Sequence, residues 1–250
     1  EIVYALQQGD RVVGVSQFTT YPPAADDKPS CGGFINPNEE KILSLDPDLI
    51  VTQGLGKKLQ RFCDQHDIRL VRVEITDLES IFSAIERIGR ALDCEAQAEL
   101  LAARLRMELA EVKVRVQGET RLPVFMVVGR EPGGLNRLNT VGQGSYLNDL
   151  IRVAGGENIF DDLQSRYRVV SKEAVARREP EVIVELRGRG MSDAESMERI
   201  REAWSALSFL PAVQRGRIHV VNSTYALIPG PRMVKLARRL ASIFHGEDKD

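Results

Sequence analysis

Short, wholly apolar runs alternate along this chain with stretches in which apolar residues recur every three or four positions. The first pattern predicts buried strands and the second amphipathic helices, and their alternation predicts parallel sheets with helical crossovers. In the first half, Arg11–Val15, Leu49–Val51 and Leu70–Val73 read as strands. Asn36-Pro37-Asn38-Glu39 reads as a helix start. Asn36 is placed to cap, Pro37 suits the first helical position, and Glu39 can reach back to the cap. Thr76-Asp77-Leu78-Glu79 repeats the device and opens a helix whose core face is Leu78, Ile81, Ile85, Ile88 and Leu92.

The longest uninterrupted helical pattern runs from Glu95 to Gln117, with Leu101, Leu105, Leu109, Val112 and Val116 on one stripe. At 1.5 Å per residue it extends roughly 35 Å, enough to connect two lobes, and Gly118 is placed to end it. A buried strand at Pro123–Val128 restarts the pattern. A glycine-rich loop, a helix over Tyr146–Val153, a strand at Ile218–Val221 and a terminal helix over Arg232–Phe244 follow. No low-complexity linker interrupts the chain. The fold class expected is α/β: two Rossmann-like lobes with parallel sheets, residues 1–93 and 119–250, joined by a single long helix at 94–118.

One segment occurs twice. Residues 40–51 read E-K-I-L-S-L-D-P-D-L-I-V, and residues 173–184 read E-A-V-A-R-R-E-P-E-V-I-V, an offset of 133 residues (173 − 40). Each has a Glu, an apolar residue two positions on, an acidic–Pro–acidic turn and an apolar run ending Ile-Val. That spacing is too long for a solenoid and suits a duplicated lobe. Two similar lobes suggest a cleft between them, where ligands usually bind.

Composition changes this picture little. The 250 residues, 43% hydrophobic and 28% charged, are ordinary for a globular protein. A net charge of −2 gives no reason to expect nucleic acid or an anionic membrane as partner. No apolar run approaches the ~20 residues needed to span a bilayer. Glu1–Leu6 lacks the basic leader and cleavage site of a signal peptide. Cys31, Cys63 and Cys94 have no C-x-x-C spacing, so buried inert thiols are expected, one disulfide remaining open.

Catalytic constellations are missing. His66, His219 and His245 are scattered, and neither H-E-x-x-H nor G-x-S-x-G occurs. Gly142-Gln143-Gly144-Ser145 lacks the Lys-Ser/Thr of a phosphate loop and reads as a turn before the next helix. No catalytic residue, cofactor or metal site is expected. What remains are loop residues at strand ends, where α/β sheets bind ligands. These are Phe18, Tyr21-Pro22-Pro23, Gly32-Gly33-Phe34 and Gln53-Gly54 in the first half. The second half offers Arg130-Glu131-Pro132, Ser165-Arg166-Tyr167 and Asn222–Tyr225. Aromatics on loops offer flat contact area at low entropic cost, suited to a large semi-rigid ligand.

The stretch V-V-G-V-S…Y-P-P…P-S-C-G-G-F-I-N-P-N-E-E-K-I-L-S-L-D-P-D-L-I-V resembles the helical-backbone periplasmic substrate-binding proteins of ABC importers. V-A-G-G-E-N-I-F, V-S-K-E-A-V, N-S-T-Y and G-P-R extend the resemblance over essentially the whole chain. It implies a non-enzymatic, periplasmic, monomeric protein that carries cobalamin, a ferric siderophore or haem to a dimeric permease, with limited lobe movement. It implies aromatic contacts at Phe34, Tyr167 and Tyr225, with Phe18, Gln53, Arg130 and Arg166 beside them; the two arginines would suit a siderophore. It also implies that Glu40 and Glu173 dock into basic pockets of the two permease subunits. Both lie in a predicted first helical turn, where the dipole alone favours a carboxylate by about 0.3–1 kcal/mol. The family's usual opening strand is absent here, which suggests a processed or incomplete start. A chelatase-like enzyme on a related fold would need histidines or carboxylates converging on the cleft, and the scattered histidines argue against it.

Overall fold

The computed structural model describes all residues except Phe34, Leu55, Pro132, Gly133, 189–192 and 247–250, and omits the side chains of 193–196. The chain forms two compact units, one of Glu1–Ile75 with Glu79–Leu105 and one of Thr76–Leu78 with Arg106–Asp250.

The first unit runs α1 (Ile2–Ala5), α2 (Glu39–Ser44), β1 (Leu49–Gln53), α3 (Lys57–Gln65), β2 (Arg69–Val73), α4 (Leu78–Ala91) and the start of α5 (Glu95–Arg115). β1 and β2 form a two-stranded parallel sheet, Leu49 opposite Arg69 and Gln53 opposite Val73. The spacing of apolar positions on α4 holds: Ile81, Ile85 and Ile88 are buried, with Phe82 beside them, while Leu78 is half-buried. The α5 stripe from Leu101 to Val116 is likewise buried, and Gly118 beyond it takes φ +90°, a conformation that only glycine adopts freely.

Two expectations fail here. Arg11–Val15 is no strand: a 3₁₀ turn occupies Gly9–Arg11, and Val15 makes one isolated bridge to Ser30. An apolar run becomes a strand only when a neighbour takes its backbone groups, and Val13 stays 46% exposed. The cap of α2 is Asn38 rather than Asn36. Asn38 Oδ1 accepts from Lys41 N at 2.9 Å, while a bridge to Gly32 holds Pro37 outside the helix.

The second unit adds β3 (Leu122–Gly129), β4 (Leu138–Val141), α6 (Tyr146–Val153), β5 (Gly156–Asn158), β6 (Tyr167–Val170), α7 (Lys172–Ala176), β7 (Val182–Arg187), α8 (Asp193–Ser205), α9 (Pro211–Gln214), β8 (Ile218–Asn222) and α10 (Met233–His245). Its strands run in the order β6-β4-β3-β7-β8, with β5 also on β3. The α/β class stands, but this sheet is mixed: β4 is antiparallel to both β3 and β6. Phe125 and Val127 join Phe160, Ile183, Trp204 and Leu210 in one core on one face. Val124 and Met126, equally buried, point to the other face, as strand alternation requires.

The sequence repeat is a structural one. Ser171 Oγ caps Ala174 N in α7 as Asn38 caps Lys41 in α2, at the same offset of 133 residues. Ile42 and Val175 are both buried, and Asp46 and Glu179 both adopt positive φ (46° and 43°) just before their prolines. β1 and β7 then begin at equivalent positions.

Candidate ligand-binding and docking residues

In the first unit Phe18 lies on a loop with 67% of its surface exposed, and its amide donates to Ser16 Oγ at 3.3 Å. Its ring closes on the glycine pair 32–33, where a Cβ on Gly33 would come within 3.4 Å of Phe18 Cε2. Gln53 ends β1, exposed, at the carboxyl end of the parallel pair. That is the end at which α/β sheets receive ligands. Phe34 lies outside the described residues. Cys31, Cys63 and Cys94 are free thiols, each pushed above the usual range by burial.

In the second unit Tyr167 opens β6, paired with Val141 and 45% exposed. Arg166 beside it is exposed, and its carbonyl accepts from Gly142 N at 2.9 Å. The glycine-rich turn is therefore no loose loop. Gln143 N donates to Leu163 O, and a Cβ on Gly142 would lie 2.5 Å from Ser165 O, so only glycine fits. Ser145 then caps α6, its Oγ accepting from Leu147 N at 3.3 Å. Tyr146 is buried, and its hydroxyl has no hydrogen-bond partner among the described residues. Burial first, and the nearby Tyr167 second, push that phenol far above its ordinary range.

Arg130 is placed differently from its expectation. Its side chain is 5% exposed, its Nε donates to Glu185 Oε1 at 2.9 Å, and its Nη1 donates to Gly134 O at 2.7 Å. Glu185 is fully buried and also accepts from Trp204 Nε1 at 2.8 Å and from Arg187 Nη2. Three donors thus satisfy one buried carboxylate, and the charge of Arg130 is spent inside the unit. Sequence reasoning missed this cluster because its members are scattered over the residue after β3, over β7 and over α8.

Tyr225 follows β8, half-buried, and lines a cavity of about 430 Å³ with Arg201, His219, Ser223 and Arg239. β6 and β8 are opposite edges of the sheet, four strand spacings or about 19 Å apart. The structure therefore brings Arg166 and Tyr167 together and sets Tyr225 apart from them. Among the described residues no group of three or more His, Cys, Asp or Glu could hold a metal ion.

Glu40 and Glu173 are both exposed and both the second residue of their helices. Glu173 is held below the usual carboxylate range, first by its own backbone amide and then by the Ser171 hydroxyl. It lines a concavity of about 330 Å³ with Asn136, Arg137 and Lys172. The offset that relates Glu40 to Glu173 also relates Phe34 to Tyr167.

The profile of the periplasmic binding protein family matches residues 1–225. The chain belongs to this family. A vitamin B12-binding protein of Salmonella paratyphi A is 29% identical over 241 residues, covering 95% of this chain and 84% of the relative. An ABC transporter substrate-binding lipoprotein of Bacillus subtilis is 27% identical, covering 96% and 75%. Among solved structures, the periplasmic vitamin B12 binding protein of Vibrio cholerae superimposes with TM-score 0.80 at 25% identity, covering 100% of this chain and 94% of that one. A periplasmic heme-binding protein from Roseiflexus gives TM-score 0.82 at 25% identity, covering 98% and 94%. The family is one of binding proteins, and its members include ABC transporter components. Among the described residues no helix is long and apolar enough to cross a membrane.

Proposed function

We propose that this protein captures a cobalamin-like corrinoid outside the cytoplasm and delivers it, without catalysing a reaction, to the permease dimer of an ABC importer. The observation that carries this reading is the likeness to vitamin B12-binding proteins over 95% of the chain. Each unit offers its own contacts: Phe18, Phe34 and Gln53 from the first, Arg166 and Tyr167 from the second. The pair at equivalent repeat positions, Phe34 and Tyr167, supplies the aromatic surfaces for a broad planar ligand. The exposed guanidinium of Arg166 supplies a polar anchor at its rim. Glu40 and Glu173 supply the two docking carboxylates, one per permease subunit, and the carrier works as a monomer.

A second reading, haem or a ferric siderophore as cargo, is favoured by the structural likeness to the heme-binding protein. Native mass spectrometry and absorbance titration with cobalamin, haem and ferric hydroxamate decide between them. Saturable one-to-one binding of cobalamin supports the corrinoid. Binding of haem or the hydroxamate alone replaces it with the second reading, and binding of none sinks both.

A further inference from the structure

The helix α5 carries two apolar stripes, and the fold of one chain uses only one of them. Ala98, Leu101, Leu105, Leu109 and Val112 are buried. Ala96, Leu100, Ala103, Met107, Ala110 and Val114 are all exposed. Leu100 is 72%, Met107 58% and Val114 67% exposed. At 3.6 residues per turn this second stripe falls almost diametrically opposite the first. Its members are spaced 4, 3, 4, 3 and 4 residues apart, the pattern by which one helix packs along another. Single exposed apolar residues need no explanation, but six in register along about 27 Å of helix do.

The stripe is complementary to itself. Large Leu100, Met107 and Val114 alternate with Ala96, Ala103 and Ala110. An antiparallel copy related by a two-fold axis at Leu105 would set Leu100 against the partner's Ala110, Met107 against the partner's Ala103, and Val114 against the partner's Ala96. Every layer then joins one large side chain to one small one, which lets two helices approach without voids. A parallel copy would stack large on large and alanine on alanine instead. Charge follows the same symmetry. Glu99 and Lys113 flank the stripe on one side, both exposed and neither in an ion pair among the described residues. The axis at Leu105 brings Glu99 beside the partner's Lys113, and Lys113 beside the partner's Glu99. Arg106 between them and Arg104 on the other flank face their own copies, and both are already engaged within the chain. Gln97 meets the partner's Glu111, a residue that reaches Arg238 at 3.9 Å in its own chain.

We infer that the exposed stripe of α5 is a self-association surface, through which two copies of this protein pair helix against antiparallel helix. A patch that matches itself under a two-fold rotation is what an isologous dimer requires, so the occupant is a second copy of the chain. Three large and three alanine side chains per copy place the contact among weak, reversible interfaces of less than about 1,200 Å². Crowded carrier pairs, and dilution returns the monomer that delivers cargo. No residue assigned to cargo or docking lies on α5, so pairing leaves those side chains uncommitted.

Sedimentation velocity on the full chain, from about 10 μM to 1 mM, tests the surface in the range where weak complexes form. The wild type shows a monomer–dimer equilibrium. Met107→Glu puts a charge into the seam on a side chain that is already exposed, and lowers self-affinity about tenfold or more. Circular dichroism, melting temperature and cobalamin titration stay as in wild type. If that variant melts lower, Val114→Glu near the helix end carries the comparison. Glu99→Lys alone weakens pairing about threefold or more by facing Lys113, and adding Lys113→Glu restores it. A protein that stays monomeric throughout the range, including one whose stripe binds phosphatidylcholine vesicles instead, overturns the inference. So does a dimer indifferent to these glutamates, or a charge swap that recovers nothing. Loss of cobalamin binding with self-association intact would touch only the proposed function.

Discussion

Replacing Glu185 by Ala removes the one carboxylate that three donors share. Glu185 is fully buried and the Arg130 side chain is 5% exposed, so the guanidinium is left charged, desolvated and without its counter-ion. Breaking a buried pair from one side costs about 3–5 kcal/mol. The Trp204 indole N–H, donating at 2.8 Å, loses its acceptor too, which adds about 1–3 kcal/mol of desolvation unless water enters the space left. A domain of this size loses about 2–4 °C per kcal/mol, so the second unit melts roughly 6–20 °C lower from the broken pair alone, and about 8–32 °C lower if the indole stays unsatisfied. Trp204 is the only tryptophan and sits in that unit, so its fluorescence follows this unfolding selectively. The companion variant Arg187→Gln, whose side chain is 28% exposed, costs about 1 kcal/mol or less. The double change Arg130→Met, Glu185→Leu recovers part of the loss, because neither charge of the buried pair remains, while Arg187 is 28% exposed and can reach water. A Glu185→Ala protein melting within about 2 °C of wild type would refute the reasoning, since the pair would then contribute too little to matter.

Three further outcomes follow from other parts of the molecule. Gly142→Ala drives a Cβ against the Ser165 and Leu163 carbonyls, and is expected to cost about 1–3 kcal/mol and to weaken cargo binding through displaced Arg166 and Tyr167, read by melting and titration together. Asp161 is held below the usual carboxylate range by Arg152 at 2.5 Å and then by Asn148, so it stabilises the fold above its unfolded pKa of about 3.9 and that contribution disappears as pH falls through the lower folded value. Asp161→Asn should therefore flatten the acid side of the stability–pH curve by about 1 kcal/mol or less, the side chain being 42% exposed. Glu40→Arg with Glu173→Arg should leave cargo affinity unchanged and abolish permease-stimulated ATP hydrolysis and transport; full transport by the double variant would remove the docking role.

The apolar periodicity determined α4, the α5 stripe, the strands at Leu49 and Leu122, and the helix at Tyr146, because burial of a repeating face is a local property of sequence. It also determined the repeat down to its backbone: the same cap, buried residue, left-handed turn and strand start recur at 133 residues' distance. Pairing was another matter. Arg11–Val15 has the residues of a strand but not the neighbour, and Pro37 was drawn out of its helix by Gly32, both decided by backbone pairing that the apolar pattern does not encode. Strand order was equally invisible, and it is strand order that parts Tyr225 from Tyr167 by the width of a sheet. Arg130 reads as a loop cation until Glu185 and Trp204, more than fifty residues on, close around it. Local pattern fixes which faces are buried; which charges meet, and at which edge a loop emerges, depends on chain segments that only folding brings together.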